Sequence, residues 1–101
     1  MNERRILALL KSGQVLFHYP LKVYFQEGAG DFGVSVPKRL FKRAVKRNLL
    51  KRRVREAYRL NAVRLEGRPY DIFIYYIGKQ EEDYERIDKS LAQILDDLAA
   101  R

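Results

Sequence analysis

The chain has no cysteine and only one histidine in 101 residues. These absences exclude a disulfide framework, a thiolate zinc site, a cysteine nucleophile and a histidine cluster. A reducing, intracellular setting follows, and a cytoplasmic location is expected. No apolar run approaches the roughly 20 residues that a membrane span needs, so no membrane partner is expected. The opening MNERRILALLKSG sets basic residues before a short apolar stretch, but Lys11 interrupts it and no small-residue cleavage site follows. A signal peptide is therefore not expected. The chain also lacks a histidine pair, a DxD-type cluster on a strand end and a Gly-rich phosphate loop, which leaves no expected metal site and no catalytic residue. Glu81, Glu82, Asp83 and Glu85, like the pair Asp96 and Asp97, read as helix-end and solvated surface acids. His18 stands alone as a surface or packing residue.

What is present is positive charge, and it is concentrated. Lys38 to Arg59 holds eleven Lys or Arg residues and one acid, Glu56, about +10, while the rest of the chain sums to about −2. A nearly neutral body thus carries one cationic element, whose usual partner is a phosphate backbone. The 47% apolar content supports a folded globule, and the length suits one domain spanning residues 1–101.

Periodicity orders the elements as αβββαβα, an α+β class. Glu3 to Lys11 has helical spacing and stops at Gly13. Gln14 to Phe25 reads as two short strands broken at Pro20, with Leu21, Val23 and Phe25 on one face and Lys22 and Tyr24 on the other. A turn at Glu27 to Asp31 leads to a third strand of the hairpin, in which Phe32, Val34 and Val36 alternate. Phe41 to Asn61 is free of Gly and Pro and favours a long helix. Tyr70 to Ile77 is the most strand-like run, and Asp83 to Ala100 carries a helical stripe from Tyr84 to Leu98.

On the long helix, Asn48, Lys51, Arg52, Arg55 and Arg59 fall within an arc of about 100°. Leu49, Leu50, Val54, Ala57 and Leu60 form an opposing apolar arc for docking on the sheet. Lys46 and Arg53 fall on that apolar side, which implies either that they snorkel past its edge or that the packed arc is narrower. Clustered like charges repel in an isolated helix, so the pattern is unfavourable without a polyanion. Asn48 adds a group that donates and accepts, and arginine forks grip phosphate oxygens.

The string AVKRNLLKRRVREAYR, residues 44–59, resembles the signature of the bacterial ribonuclease P protein component. FGVSVPKR before it, PYDIFI after it and the closing amphipathic helix occur in that family's order. The resemblance implies a four-stranded sheet whose strand, long helix and strand make a left-handed crossover, against the usual rule. It implies RNA binding by Arg47, Asn48, Lys51, Arg52, Arg55 and Arg59, to which the surrounding basic run adds Arg43 and Lys46 as candidates. It further implies a cleft for the single-stranded 5′ leader of precursor tRNA, with Tyr24 matching the family's strand tyrosine and Lys22 and Phe17 beside it.

The implied partners are ribonuclease P RNA and precursor tRNA, with no obligatory protein partner. Mg²⁺ and the phosphodiester hydrolysis belong, on this resemblance, to the RNA, so the protein is the accessory subunit of an endoribonuclease. Two departures stand out. Leu49 replaces the third residue of the family's Arg-Asn-Arg run, so that contact is missing or supplied by Arg52 or Arg53. Ile6 and Leu10 occupy positions that are often Phe. Competing readings are a ribosomal-protein-like RNA binder, a DNA-binding regulator and a protein-only nuclease; the last would need clustered ligands that the sequence lacks.

Overall fold

A computed structural model describes all residues from Met1 to Arg101. Asn2 caps helix α1 (Glu3–Ser12) by accepting the Arg5 amide at 2.9 Å. Strands β1 (Gln14–His18) and β2 (Leu21–Glu27) then pair antiparallel about Tyr19 and Pro20. β3 (Phe32–Ser35), α2 (Ala44–Asn61), a single 3₁₀ turn (Ala62–Leu65), β4 (Tyr70–Tyr76) and α3 (Tyr84–Ala99) complete the expected αβββαβα order. No helix is long and apolar enough to cross a membrane.

Strand pairing corrects one expectation. β3 is not a hairpin partner of β2: the sheet order is β1-β2-β4-β3, with β4 antiparallel to β2 and parallel to β3. Ile74 of β4 faces Val23 on one side and Val34 on the other. The physical reason lies in burial. Ile72, Phe73 and Ile74 are consecutive and all buried, as a strand covered on both faces requires, whereas all four β3 residues are half-buried, as at an edge. Helix α2 therefore lies in the crossover between two parallel strands.

The core sits between one sheet face and helices α2 and α3. Leu21, Val23, Phe25, Ile72, Ile74 and Tyr76 meet Leu50, Val54 and Ala57 of α2 and Ile87, Leu91, Ile94, Leu95 and Leu98 of α3. Phe32 stacks on Tyr58 with ring centroids 4.0 Å apart, tying α2 to β3. Polar side chains fix the helix ends. The buried Asn61 donates to the Ala57 carbonyl (2.8 Å) and to Asp88 (2.7 Å) and accepts from Arg64 (2.8 Å). Ser90 donates to the Tyr19 carbonyl at 2.6 Å, and Asp83 caps α3 by accepting the Arg86 amide. α1 lies on the other sheet face; its Arg5 reaches Asp31 at 3.3 Å, while the buried Asp71 accepts the Ala29 and Asp31 amides.

Two features of α2 differ from the periodicity reading. The helix begins at Ala44 rather than near Phe41, because Phe41 turns inward against Tyr76 and the Arg47 guanidinium takes the Phe41 and Lys42 carbonyls, each at 2.8 Å. The apolar seam is also narrower. Leu50, Val54, Ala57 and Asn61 are buried, while Leu49 is half-buried and Leu60 is 53% exposed. Leu50→Ala is expected to cost about 3 kcal/mol in chemical denaturation, and Leu60→Ala no more than about 0.5. Equal costs would contradict the narrow seam.

Candidate nucleic-acid interface

The narrow seam leaves most of the circumference of α2 facing outward. Asn48, Arg52, Arg55 and Arg59 are exposed and Lys51 is half-buried, all on the side away from the core. Arg43, at the helix N-cap, is exposed, and so is Lys46, which lies on the Arg53 side of α2 rather than on this face. Arg43, Lys46, Lys51, Arg52 and Arg55 form no ion pair with any carboxylate. Such uncompensated cations, held at fixed spacing, are the electrostatic complement of a phosphate chain.

Other arginines of the segment are already engaged. Arg47 holds the turn before the helix, as described above, and Arg59 makes two bonds to Glu56, the shorter 2.6 Å. That contact holds the Glu56 carboxyl below its ordinary value. Arg53 donates to the Glu82 carbonyl at 2.7 Å and lies 3.7 Å from Glu81. It is a clamp between α2 and the loop before α3, which explains a cation on the packed side. Of the two residues expected to replace a contact at Leu49, only Arg52 is free. Lys46 is exposed and lines a cavity of about 660 Å³ with Lys42, Arg43 and Lys79, in which Glu81 is the one acid.

The same loop is held by a tyrosine. Tyr76 donates to the Gln80 carbonyl at 2.7 Å and accepts the Glu82 amide at 3.0 Å. Burial pushes its hydroxyl pKa up to about 12, so it remains a donor throughout the physiological range.

A second surface lies on the sheet face opposite the core. Phe17, Lys22 and Tyr24 all occupy it, since Lys22 is opposite Phe17 in β1 and Tyr75 in β4, and Tyr24 is opposite Phe73. Phe17 is 63% exposed. The Lys22 ammonium lies 5.2 Å from the Phe17 ring centre and 5.0 Å from that of Tyr24. Tyr75 meets Tyr24 edge-on at 6.4 Å. Leu10 of α1, Arg39 and Ile77 complete a cleft of about 320 Å³ around Lys22, Tyr24 and Tyr75. A cleft with aromatic faces and two cations suits an unstacked nucleotide.

Sequence reasoning missed Tyr75, Arg39 and Lys79. For Tyr75 a signal existed, because period-2 alternation through YDIFIYY puts Phe73 and Tyr75 on one face. Arg39 and Lys79 sit in irregular segments, where no periodicity reports direction. No three His, Cys, Asp or Glu side chains are grouped so as to hold a metal ion.

The family model described as Ribonuclease P matches residues 1–99. The ribonuclease P protein component of Porphyromonas gingivalis is 35% identical over 95 residues, covering 82% of this chain and 69% of that protein. That of Clostridioides difficile is 33% identical over 89 residues, covering 84% and 77%. Among solved structures, the RNase P protein of Thermotoga maritima superposes with a TM-score of 0.83 at 26% identity, covering 95% of this chain and 96% of that one.

If the five unpaired cations each neutralise one phosphate, log affinity for a folded RNA should fall against log salt with a slope of about −4.5. Arg52→Ala and Arg55→Ala should each flatten it by about one unit. Arg53→Ala should instead lower the unfolding midpoint and leave the slope alone. A flat response in the parent protein would remove the electrostatic basis of the interface.

Proposed function

The chain belongs to the bacterial ribonuclease P protein family, and we propose that its two surfaces divide the work, α2 holding the ribonuclease P RNA and the cleft beside α1 on the opposite sheet face holding the 5′ leader of precursor tRNA. Family membership makes the protein a component of an endoribonuclease complex whose partner is ribonuclease P RNA. The division of labour carries that role to particular residues. Asn48, Lys51, Arg52 and Arg55, with Arg43 and Lys46, meet the phosphates of folded RNA. Arg47 and Arg59 take part with whatever donors their internal contacts leave, so they rank below the others.

The leader, being single-stranded, can splay its bases. One base stacks on Tyr24 or Phe17 while Lys22 and Arg39 meet adjacent phosphates, an arrangement worth roughly 1 to 3 kcal/mol per stacked base. Hydrolysis at the leader junction is assigned to the RNA with its Mg²⁺. The chain offers no grouped metal ligands of its own, and its residues bind, neutralise and orient. By placing cations on both partners, the protein lowers the repulsion between two polyanions and the Mg²⁺ concentration needed to bring them together. The proposed setting is the cytoplasm.

The observation that carries this reading is the pairing of unpaired α2 cations with an aromatic cleft on the opposite sheet face. Mixing the chain with a bacterial ribonuclease P RNA at low Mg²⁺ should stimulate cleavage of precursor tRNA at its mature 5′ end. Tyr24→Ala should reduce the affinity advantage of leader-bearing over leaderless tRNA by about tenfold. Equal binding of both substrates by the parent holoenzyme would rule out the leader site, and failure to stimulate cleavage would rule out the assignment as a whole.

A further inference from the structure

A stacking site needs bare ring faces, yet in this protein a cation already occupies them. The Lys22 ammonium sits over both Phe17 and Tyr24. It forms no ion pair, and the cross-strand neighbours of its residue are Phe17 and Tyr75 rather than acids. Ring quadrupoles therefore hold the charge. A phosphate holds an ammonium more strongly, because it carries a full charge and acceptor oxygens that form charge-assisted hydrogen bonds. The lysine stem is flexible enough to reorient between the two. Arg39, which lines the same cleft, lies over no ring and has no such choice to make.

Resting on the leader reading above, we propose that Lys22 is an exchange residue that couples recognition of a leader base to recognition of its phosphate. In the free protein it covers Phe17 and Tyr24. When a leader strand enters, the ammonium moves to a backbone phosphate and uncovers the rings, on which a base then stacks. A base without a charged backbone meets covered rings, and a phosphate without a base leaves uncovered rings facing water. The cleft thus selects a phosphodiester-linked single strand over free nucleosides or a neutral backbone. No bond is made or broken in this step.

The test scans single methylphosphonate linkages along the leader of precursor tRNA, with affinity for the holoenzyme as readout. At one linkage the neutral substitution should weaken the parent by about tenfold, while Lys22→Met, itself weakened by about tenfold, loses nothing further there. Lys22→Gln, a second neutral replacement, should repeat that result. Costs that simply add at every linkage overturn the exchange. Tyr24→Ala in the same assay separates two kinds of failure. If it binds the leader as the parent does, the leader reading falls and the exchange with it; if it weakens binding while Lys22 shows no coupling, only the exchange falls. The uncovering is read by NMR on the full chain. The Lys22 ε-methylene protons, shielded by two rings, should move downfield when a single-stranded leader RNA is added, and an unchanged position at saturation overturns the proposal.

Discussion

Everything in this molecule depends on how little of α2 has to be buried. Its docking seam is Leu50, Val54, Ala57 and Asn61, spaced i, i+4, i+7 and i+11, a single stripe against the sheet and α3. Fully burying a Leu or Val contributes about 1.5 to 3 kcal/mol, whereas a like-charge pair on a helix surface costs only a few tenths. The apolar seam therefore outweighs the repulsion among the basic residues, and it does so with a narrow contact. A wider seam would have consumed positions that now carry charge. Arg53 and Arg47 are recruited as fasteners at its edges and Arg59 is paired with Glu56, which leaves Lys51, Arg52 and Arg55 uncommitted on the outward face.

The sheet order converts that economy into two separate surfaces. Because β4 is central, its Ile72, Ile74 and Tyr76 face the helices while Phe73 and Tyr75 face the other way, beside Tyr24. One short strand supplies both the floor of the core and part of an aromatic cleft. α2 lies on the first side and the cleft on the second, so a folded RNA on the helix and a single strand on the sheet need not compete for the same residues. The segment between β3 and α2 contributes Arg39 to the cleft and Lys42 and Arg43 to the cavity at the helix start, linking the two electrostatically.

Much of this is legible in the amino-acid sequence alone. Residues three and four apart on a helix, and two apart on a strand, share a face whatever the fold, so the outward set Asn48, Arg52 and Arg55 and the opposition of Tyr24 to Val23 could be read locally. The resemblance carried by residues 44–59 supplied the functional reading. Strand pairing was not legible, since alternation in Phe32 to Val36 says which residues share a face and nothing about which strand lies alongside. The fates of individual arginines were hidden for a similar reason. Arg53 beside Glu81 and Glu82, and Arg47 against the Phe41 and Lys42 carbonyls, depend on where distant or irregular backbone arrives. The same holds for Lys22, whose position over two rings requires the β1–β2 register.

The division between helix face and sheet face is tested most directly by RNA cleavage directed from each. The chain has no cysteine, so Val45→Cys on α2 and Val15→Cys on the cleft side of the sheet each create one attachment point for an iron chelate that cuts nearby RNA. In the complex with ribonuclease P RNA and precursor tRNA, the account predicts cuts in the ribonuclease P RNA from position 45 and in the precursor's 5′ leader from position 15. Cuts in the same RNA segment from both positions, or none in the leader from position 15, would contradict it.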